Sequence, residues 1–230
     1  TSVEYDSAGN VIALFNHFND EGGGSYYSVG KYTTTGAKIW TARFDDEFYT
    51  DGWGLAVDND TDSIYVAGET DVEGQDNATL TKLDSTDGSV LWSKIYDFGF
   101  SSQSSVVDVA SDGNPVMVGY AYNGTDDYVA TTKVDEADGS VIWSRALDGQ
   151  ADEEAYGMAV GPTGEVVAIG YMEQLGVSDG VATLYADNNL NWTGGVLGAT
   201  SNGVAFSVTV TAGVATFSNI SDTIGNRPVD

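Results

Sequence analysis

One phrase recurs three times at a fixed interval. Lys31-Tyr-Thr-Thr-Thr-Gly-Ala-Lys-Ile-Trp-Thr-Ala-Arg43 returns as Lys82-Leu-Asp-Ser-Thr-Asp-Gly-Ser-Val-Leu-Trp-Ser-Lys94 and as Lys133-Val-Asp-Glu-Ala-Asp-Gly-Ser-Val-Ile-Trp-Ser-Arg145. The lysines step by 51 residues, as do the closing basic residues and the glycines Gly68, Gly119 and Gly170. A fixed period of this length makes each repeat one supersecondary unit, which buries its apolar faces only by stacking on its neighbours.

Each unit divides into four short runs rich in Val, Ile, Tyr and Thr, separated by clusters of Gly, Asp, Asn and Ser. Such runs read as strands and such clusters as turns. In the second unit the expected strands are Gly54–Val57, Ser63–Gly68, Ala78–Leu83 and Ser89–Lys94, with a turn over Asp71–Asn77. In the third they are Val106–Ala110, Pro115–Tyr120, Tyr128–Val134 and Ser140–Arg145. Asp87-Gly88 and Asp138-Gly139 mark hairpins, because glycine accepts the positive φ such turns need. No helical periodicity competes.

Four strands in about 40–50 residues is the size of a propeller blade. The expected fold is therefore all-β: a β-propeller of four-stranded antiparallel blades, about four and a half repeats of ~51 residues, as part of a larger propeller. The blades are expected at about 2–51, 52–103, 104–154 and 155–200, with 201–230 a half blade or C-terminal extension. In the last segment, Ala205–Val210 and Val214–Ser218 are expected as the first two strands of a fifth unit. The fourth unit is weaker: Leu184 stands where a lysine is due, and its last strand is expected at Leu190–Thr193. Trp40, Trp92, Trp143 and Trp192 mark the last strand of successive units, where a large ring suits the core between blades. Because the chain stops partway through a unit, it reads as a piece of a longer polypeptide.

Charge narrows the partners. The 230 residues carry 35 Asp+Glu against 8 Lys+Arg, a formal net charge of −27. Nucleic acid is excluded, because phosphate binding needs clustered Lys and Arg, and anionic membranes are excluded for the same reason. No apolar run approaches the length of a membrane helix. Cysteine is absent, which rules out disulfides and thiolate metal sites. Six of the eight basic residues occupy two phases of the repeat. Lys31, Lys82 and Lys133, with Arg43, Lys94 and Arg145, are read as charges that pair with carboxylates and fix blade register.

Catalytic constellations are missing. His17 is the single histidine, one repeat before Gly68, and no Gly-x-Ser-x-Gly accompanies it. The chain is read as a non-enzyme. The best metal candidate is Asp58-Asn-Asp-Thr-Asp62, where Asp58, Asp60 and Asp62 alternate like the start of a calcium loop; the competing reading is an Asx-rich turn. No other cofactor is expected.

The phrase Lys-Leu-Asp-x-x-Asp-Gly-Ser-Val-Leu-Trp-Ser-Lys, with Ile-Tyr-Val-Ala-Gly-Glu-Thr upstream, resembles repeats of bacterial and phage β-propeller proteins. It is clearest over residues 62–145. Its Asp-Gly-x-x-x-Trp portion is also similar to the tryptophan motif of quinoprotein propellers, where the resemblance implies blade docking. The first resemblance implies a non-catalytic structural or adhesive module of an extracellular assembly, as in a virion tail, fibre or host-contact appendage. Its expected partners are other structural proteins, copies of itself or a host cell-surface glycan, and its expected place is extracellular or on a virion surface. The alternatives are a secreted bacterial propeller that binds glycans or cations, and a carboxylate-dependent lyase or hydrolase.

Overall fold

Side chains alternate across a strand, so a strand buried on both faces must be apolar at successive positions. Ile64-Tyr-Val-Ala67 is such a run, and all four residues are buried. Ile64 and Val66 join Ile12, Leu14, Tyr27, Val29 and Trp40 in one core cluster. Tyr65 and Ala67 join Val107, Met117 and Val134 in the next. A third cluster unites Val118 and Val129 with Ala155 and Ala168. The second sheet is thus packed on the first through one face and on the third through the other, and the third packs on the fourth. Each fully buried Ile, Leu or Val contributes about 1.5–3 kcal/mol, so the face-to-face stacking of units carries most of the apolar stabilisation.

The computed structural model describes residues 2–18, 24–45, 49–148 and 152–172 with their side chains; beyond these it describes the backbone of strands only. The first sheet holds β1 (Ser2–Tyr5), β2 (Val11–Phe18), β3 (Ser25–Tyr32) and β4 (Lys38–Phe44). The second holds β5 (Thr50–Asp58), β6 (Ser63–Val72), β7 (Gln75–Asp84) and β8 (Val90–Tyr96). The third holds β9 (Ser101–Val109), β10 (Pro115–Tyr122), β11 (Asp127–Val134) and β12 (Val141–Leu147). Within each, strand order follows sequence order and neighbours run antiparallel. A further sheet contains β13 (Asp152–Val160), β14 (Val166–Gln174) and β15 (Val177–Tyr185). This is the four-stranded antiparallel blade repeated, and the chain is an all-β propeller-type protein.

Contacts divide the chain into two compact units, Thr1–Thr183 and Leu184–Asp230. The second contains an antiparallel sheet of β16 (Val196–Ser201), β17 (Val204–Thr211) and β18 (Val214–Ser218). The two expected strands are the middle and last of that sheet, because Val196–Ser201 supplies the first. Leu190–Thr193 and Trp192 lie outside the described residues.

The turn expected over Asp71–Asn77 is tighter in the structure. The strands β6 and β7 continue to Val72 and Gln75, which pair with each other. Only Glu73 and Gly74 connect them, at φ 57° and 85°. Two successive positive φ values define the tight turn whose twist matches paired strands. The Asp-Gly pairs occupy longer loops: Gly88 N–H donates to the Asp84 carbonyl and Gly139 N–H to the Asp135 carbonyl, each at 2.9 Å.

Candidate functional site

The repeated residues converge on the joints between blades. Lys31 Nζ donates to the Ser85 carbonyl at 2.9 Å, and Lys82 Nζ donates to the Glu136 carbonyl at the same distance. Both acceptors are in the loop between the third and fourth strands of the following blade. Trp40 and Trp92 donate their indole N–H groups to the same two carbonyls, each at 3.0 Å. The glycines of those loops fit against the rings. A Cβ on Gly88 would stand 2.7 Å from the Trp40 ring, and one on Gly139 would stand 3.0 Å from that of Trp92. Lysine, tryptophan and Asp-Gly loop thus form one latch, built twice among the described residues.

The lysine charges are met by carboxylates. Lys31 pairs with Asp6 at 2.8 Å, Lys82 with Glu136 at 2.5 Å and Lys133 with Asp112 at 2.9 Å. Burial works to raise the carboxyls of Asp6 and Asp112, but hydrogen bonds from the lysines and from Asn10 and Asn114 outweigh it. Both therefore lie below the usual carboxylate range. The closing basic residues behave differently. Arg43 pairs with exposed Asp45 at 3.0 Å and covers the Tyr26 ring at 3.6 Å, while Arg145 lies 5.6 Å from the Trp143 ring. His17 stacks on the other side of this group, with its ring centroid 4.5 Å from that of Tyr26, and its Nε2 shares a 2.8 Å hydrogen bond with the Ser28 hydroxyl. His17 therefore belongs to an aromatic stack on one sheet.

Gly68, Gly119 and Gly170 have a single cause. Each faces a β-bulge on the first strand of its blade, where Trp53, Ser105 and Tyr156 are the extra residues. A Cβ on Gly68 would stand 2.0 Å from the Asp51 carbonyl oxygen. On Gly119 it would stand 1.7 Å from that of Gln103, and on Gly170 1.8 Å from that of Glu154. Only glycine fits where the bulge folds a carbonyl over the neighbouring strand.

The calcium expectation at Asp58, Asp60 and Asp62 gains no support from the geometry. Asp58 spends both carboxylate oxygens on its own turn, accepting from Asp60 N–H at 2.9 Å and from the Thr61 hydroxyl at 2.6 Å. Asp62, at φ 54°, accepts instead from Ser7 at 2.8 Å. Among the described residues no group of three or more His, Cys, Asp or Glu is placed to hold a metal ion.

The bulges gather a polar rim that the repeat phrase did not reveal. Asp51 and Glu69 stand opposite each other in register. Asp51 accepts a hydrogen bond from the Ser25 hydroxyl of the preceding blade at 2.9 Å, and Trp53 donates its indole N–H to Glu69 at 3.3 Å. Burial, with the charges of Asp76 and Asp51, pushes the Glu69 carboxyl up to about 7. Burial likewise raises Asp51, with Asp76 adding to it. On the next blade, burial and the carboxylates of Glu69, Glu154, Asp127 and Asp76 push the Tyr120 phenol up to about 12. Glu69, Tyr120 and Tyr171 follow the three repeat glycines directly, so a period-51 comparison of the residues beside each glycine finds this rim. Tyr171 donates to Glu154 at 3.0 Å. Chemically, the rim offers a carboxyl that gains or loses its proton near neutrality, amid other acids and aromatic rings.

Residues 27–205 match the family model described as outer membrane protein assembly factor BamB. The chain belongs to this family. No curated protein matches it. Solved structures resemble it distantly. Hydrazine synthase of Kuenenia stuttgartiensis is 12% identical, with a TM-score of 0.43 over 96% of this chain and 66% of that one. MPT-4, a mannose phosphorylase from Leishmania mexicana in complex with phosphate ion, is 10% identical, with a TM-score of 0.45 over 90% and 62%. Quinohemoprotein alcohol dehydrogenase ADHIIG from Pseudomonas putida HK5 is 11% identical, with a TM-score of 0.41 over 87% and 48%. The chain spans about half to two thirds of the length of these proteins.

Proposed function

We propose that this BamB-family chain is a non-catalytic structural module of an extracellular or envelope assembly, joined to its partners through the outer strands of its blades. One observation carries the reading. The fourth strand of each described four-stranded blade lies at the edge of its sheet and exposes apolar side chains. Val90, Leu91 and Ile95 of β8 are each about half exposed, as are Val141 and Ile142 of β12 and Ile39 of β4. An unpaired edge with an apolar flank is a template for a further chain. Lys94 and Arg145 interrupt these edges, as charges on edge strands do where indiscriminate pairing must be suppressed. The family description supports an assembly at a bacterial outer membrane. The resemblance of the repeats supports a virion tail or fibre.

Fractionation tests the reading. Outer membranes of the producing cell and purified particles are each assayed by mass spectrometry for the wild-type chain and for a Leu91→Glu/Ile142→Glu variant. The wild type is expected in one assembled fraction, and the variant in the soluble fraction with an unchanged melting temperature. Equal distribution of the two proteins refutes the outer-strand contact, and absence of both from membranes and particles refutes the assembly role.

A further inference from the structure

We propose that the bulged rim formed by Asp51, Trp53, Glu69 and Asp76, beside Tyr120, binds an organic cation: a protonated amine or a guanidinium group. The inference is independent of the outer-strand reading, since it concerns the opposite side of the blade.

Three observations meet there. Asp51 is only 8% exposed, and its Oδ1 is buried without a hydrogen-bond partner among the described residues. Its other oxygen takes the Ser25 hydroxyl. A buried carboxylate oxygen left unpaired is costly, and a donor cation relieves that cost. Second, Asp51 stands directly across from Glu69, and like charges in that position repel. Among the described residues, none of the charges acting on Glu69, Asp51 or Tyr120 is positive. Lys31, Lys82 and Lys133 are committed to other carboxylates, those of Asp6, Glu136 and Asp112. Third, aromatic groups adjoin the acids: Trp53 donates to Glu69, and Tyr120 stands in the field of Glu69, Asp76, Asp127 and Glu154.

Together these select the ligand. No three carboxylates are grouped for a metal among the described residues, so a bare divalent ion lacks its ligand set. An ammonium or guanidinium brings its own donors to separate carboxylate oxygens and gains from neighbouring ring faces. Such a group comes either from a free polyamine or from a Lys or Arg side chain of a basic peptide. Binding is coupled to pH. Glu69 is half protonated near 7, and a cation favours its ionised form, so affinity rises from pH 6 to pH 8. Asp51, Asp76 and Tyr120 are the titratable groups that face Glu69, with Glu154 and Asp127 around Tyr120.

Titration calorimetry at constant ionic strength tests this with spermidine, a tetra-arginine peptide and calcium chloride as separate probes. Saturable one-site binding is expected for at least one organic probe, and calcium should give none at equal concentration. Glu69→Gln should weaken binding about tenfold or more and abolish its pH dependence. Asp76→Asn, at an exposed position, should weaken it without risk to folding, and Asp87→Asn on a distant exposed loop should leave it unchanged. Spermidine binding without peptide binding identifies a free polyamine, and the reverse identifies a protein partner. Shallow uptake that responds equally to Glu69→Gln and Asp87→Asn overturns the proposal, because it reflects net charge alone. So does calcium binding at least as tight as either organic probe.

Discussion

Gly119→Ala gives a prediction whose sign decides the argument. The backbone of Gly119 is not in the left-handed region, so alanine is conformationally permitted there. Judged by backbone entropy alone, the substitution should stabilise the protein by about 0.4–1 kcal/mol. The bulge reverses that expectation. The new Cβ would stand 1.7 Å from the Gln103 carbonyl oxygen and 2.7 Å from its carbon, whereas real Cβ contacts essentially never fall below 3.0 Å. Both atoms are backbone, so no side chain can swing away; β9 must withdraw from β10 by more than an ångström. Overpacking of this kind costs about 1–3 kcal/mol. Each ladder hydrogen bond lengthened beside the bulge adds about 1 kcal/mol. The sum is about 2–4 kcal/mol of destabilisation. With a urea m-value of about 2–3 kcal/mol/M, the unfolding midpoint should fall by roughly 1 M. Gly68→Ala and Gly170→Ala should behave alike, at 2.0 and 1.8 Å from their carbonyls. A midpoint for Gly119→Ala equal to or above that of the wild type refutes the bulge as the reason for the repeated glycine.

The latch predicts that Trp92→Phe, which keeps the ring and loses the N–H to the Glu136 carbonyl, costs about 1–2 kcal/mol by urea unfolding, while Trp92→Ala costs about 3–5 kcal/mol. Lys82→Met removes a nearly buried charge that holds the same carbonyl; a loss of about 1–3 kcal/mol is expected, with little change between 0.05 and 0.5 M salt, since the contact is shielded from solvent. Glu69 binds its proton in the folded chain up to about 7 and in the unfolded chain only to about 4.3. Between these values the folded state holds more protons, so stability falls as pH rises and levels off above about 7; Glu69→Gln should remove that part of the slope in chemical denaturation at pH 5, 6, 7 and 8.

The blade was legible because its determinants are periodic and local. Runs rich in Val, Ile, Tyr and Thr name the strands, and a glycine after Asp names the loop that receives the ring of the preceding blade. The partners of those residues were less legible. Lys31 does pair with an acid, Asp6, but its reach to the Ser85 carbonyl joins residues 54 apart, and a main-chain acceptor leaves no mark in the sequence. Strand length was underread for a physical reason. Asp71, Asp76 and Asn77 look like turn residues, yet Glu73-Gly74 is a sufficient turn, and cross-strand pairing carries the polar residues to the end of the hairpin. At Asp58 the alternating oxygens suit a cation loop and an Asx-rich turn alike, and the turn shows in the structure as backbone and hydroxyl donors two and three residues away on its two oxygens.

The same glycines connect scaffold and rim. A bulge lets the first strand of each blade turn an extra residue aside, and glycine on the second strand is the condition for that bulge. The positions at and beside the bulge are then free to differ, since neither packs the repeat: Trp53, Ser105 and Tyr156 at the bulge, and Glu69, Tyr120 and Tyr171 after the glycine. In the second blade that freedom places two acids face to face, with a buried oxygen left over. In the fourth the corresponding acid, Glu154, is satisfied by the hydroxyls of Tyr156 and Tyr171. The fourth blade therefore shows how the scaffold quiets this position with its own side chains, and the second blade is the place where it does not.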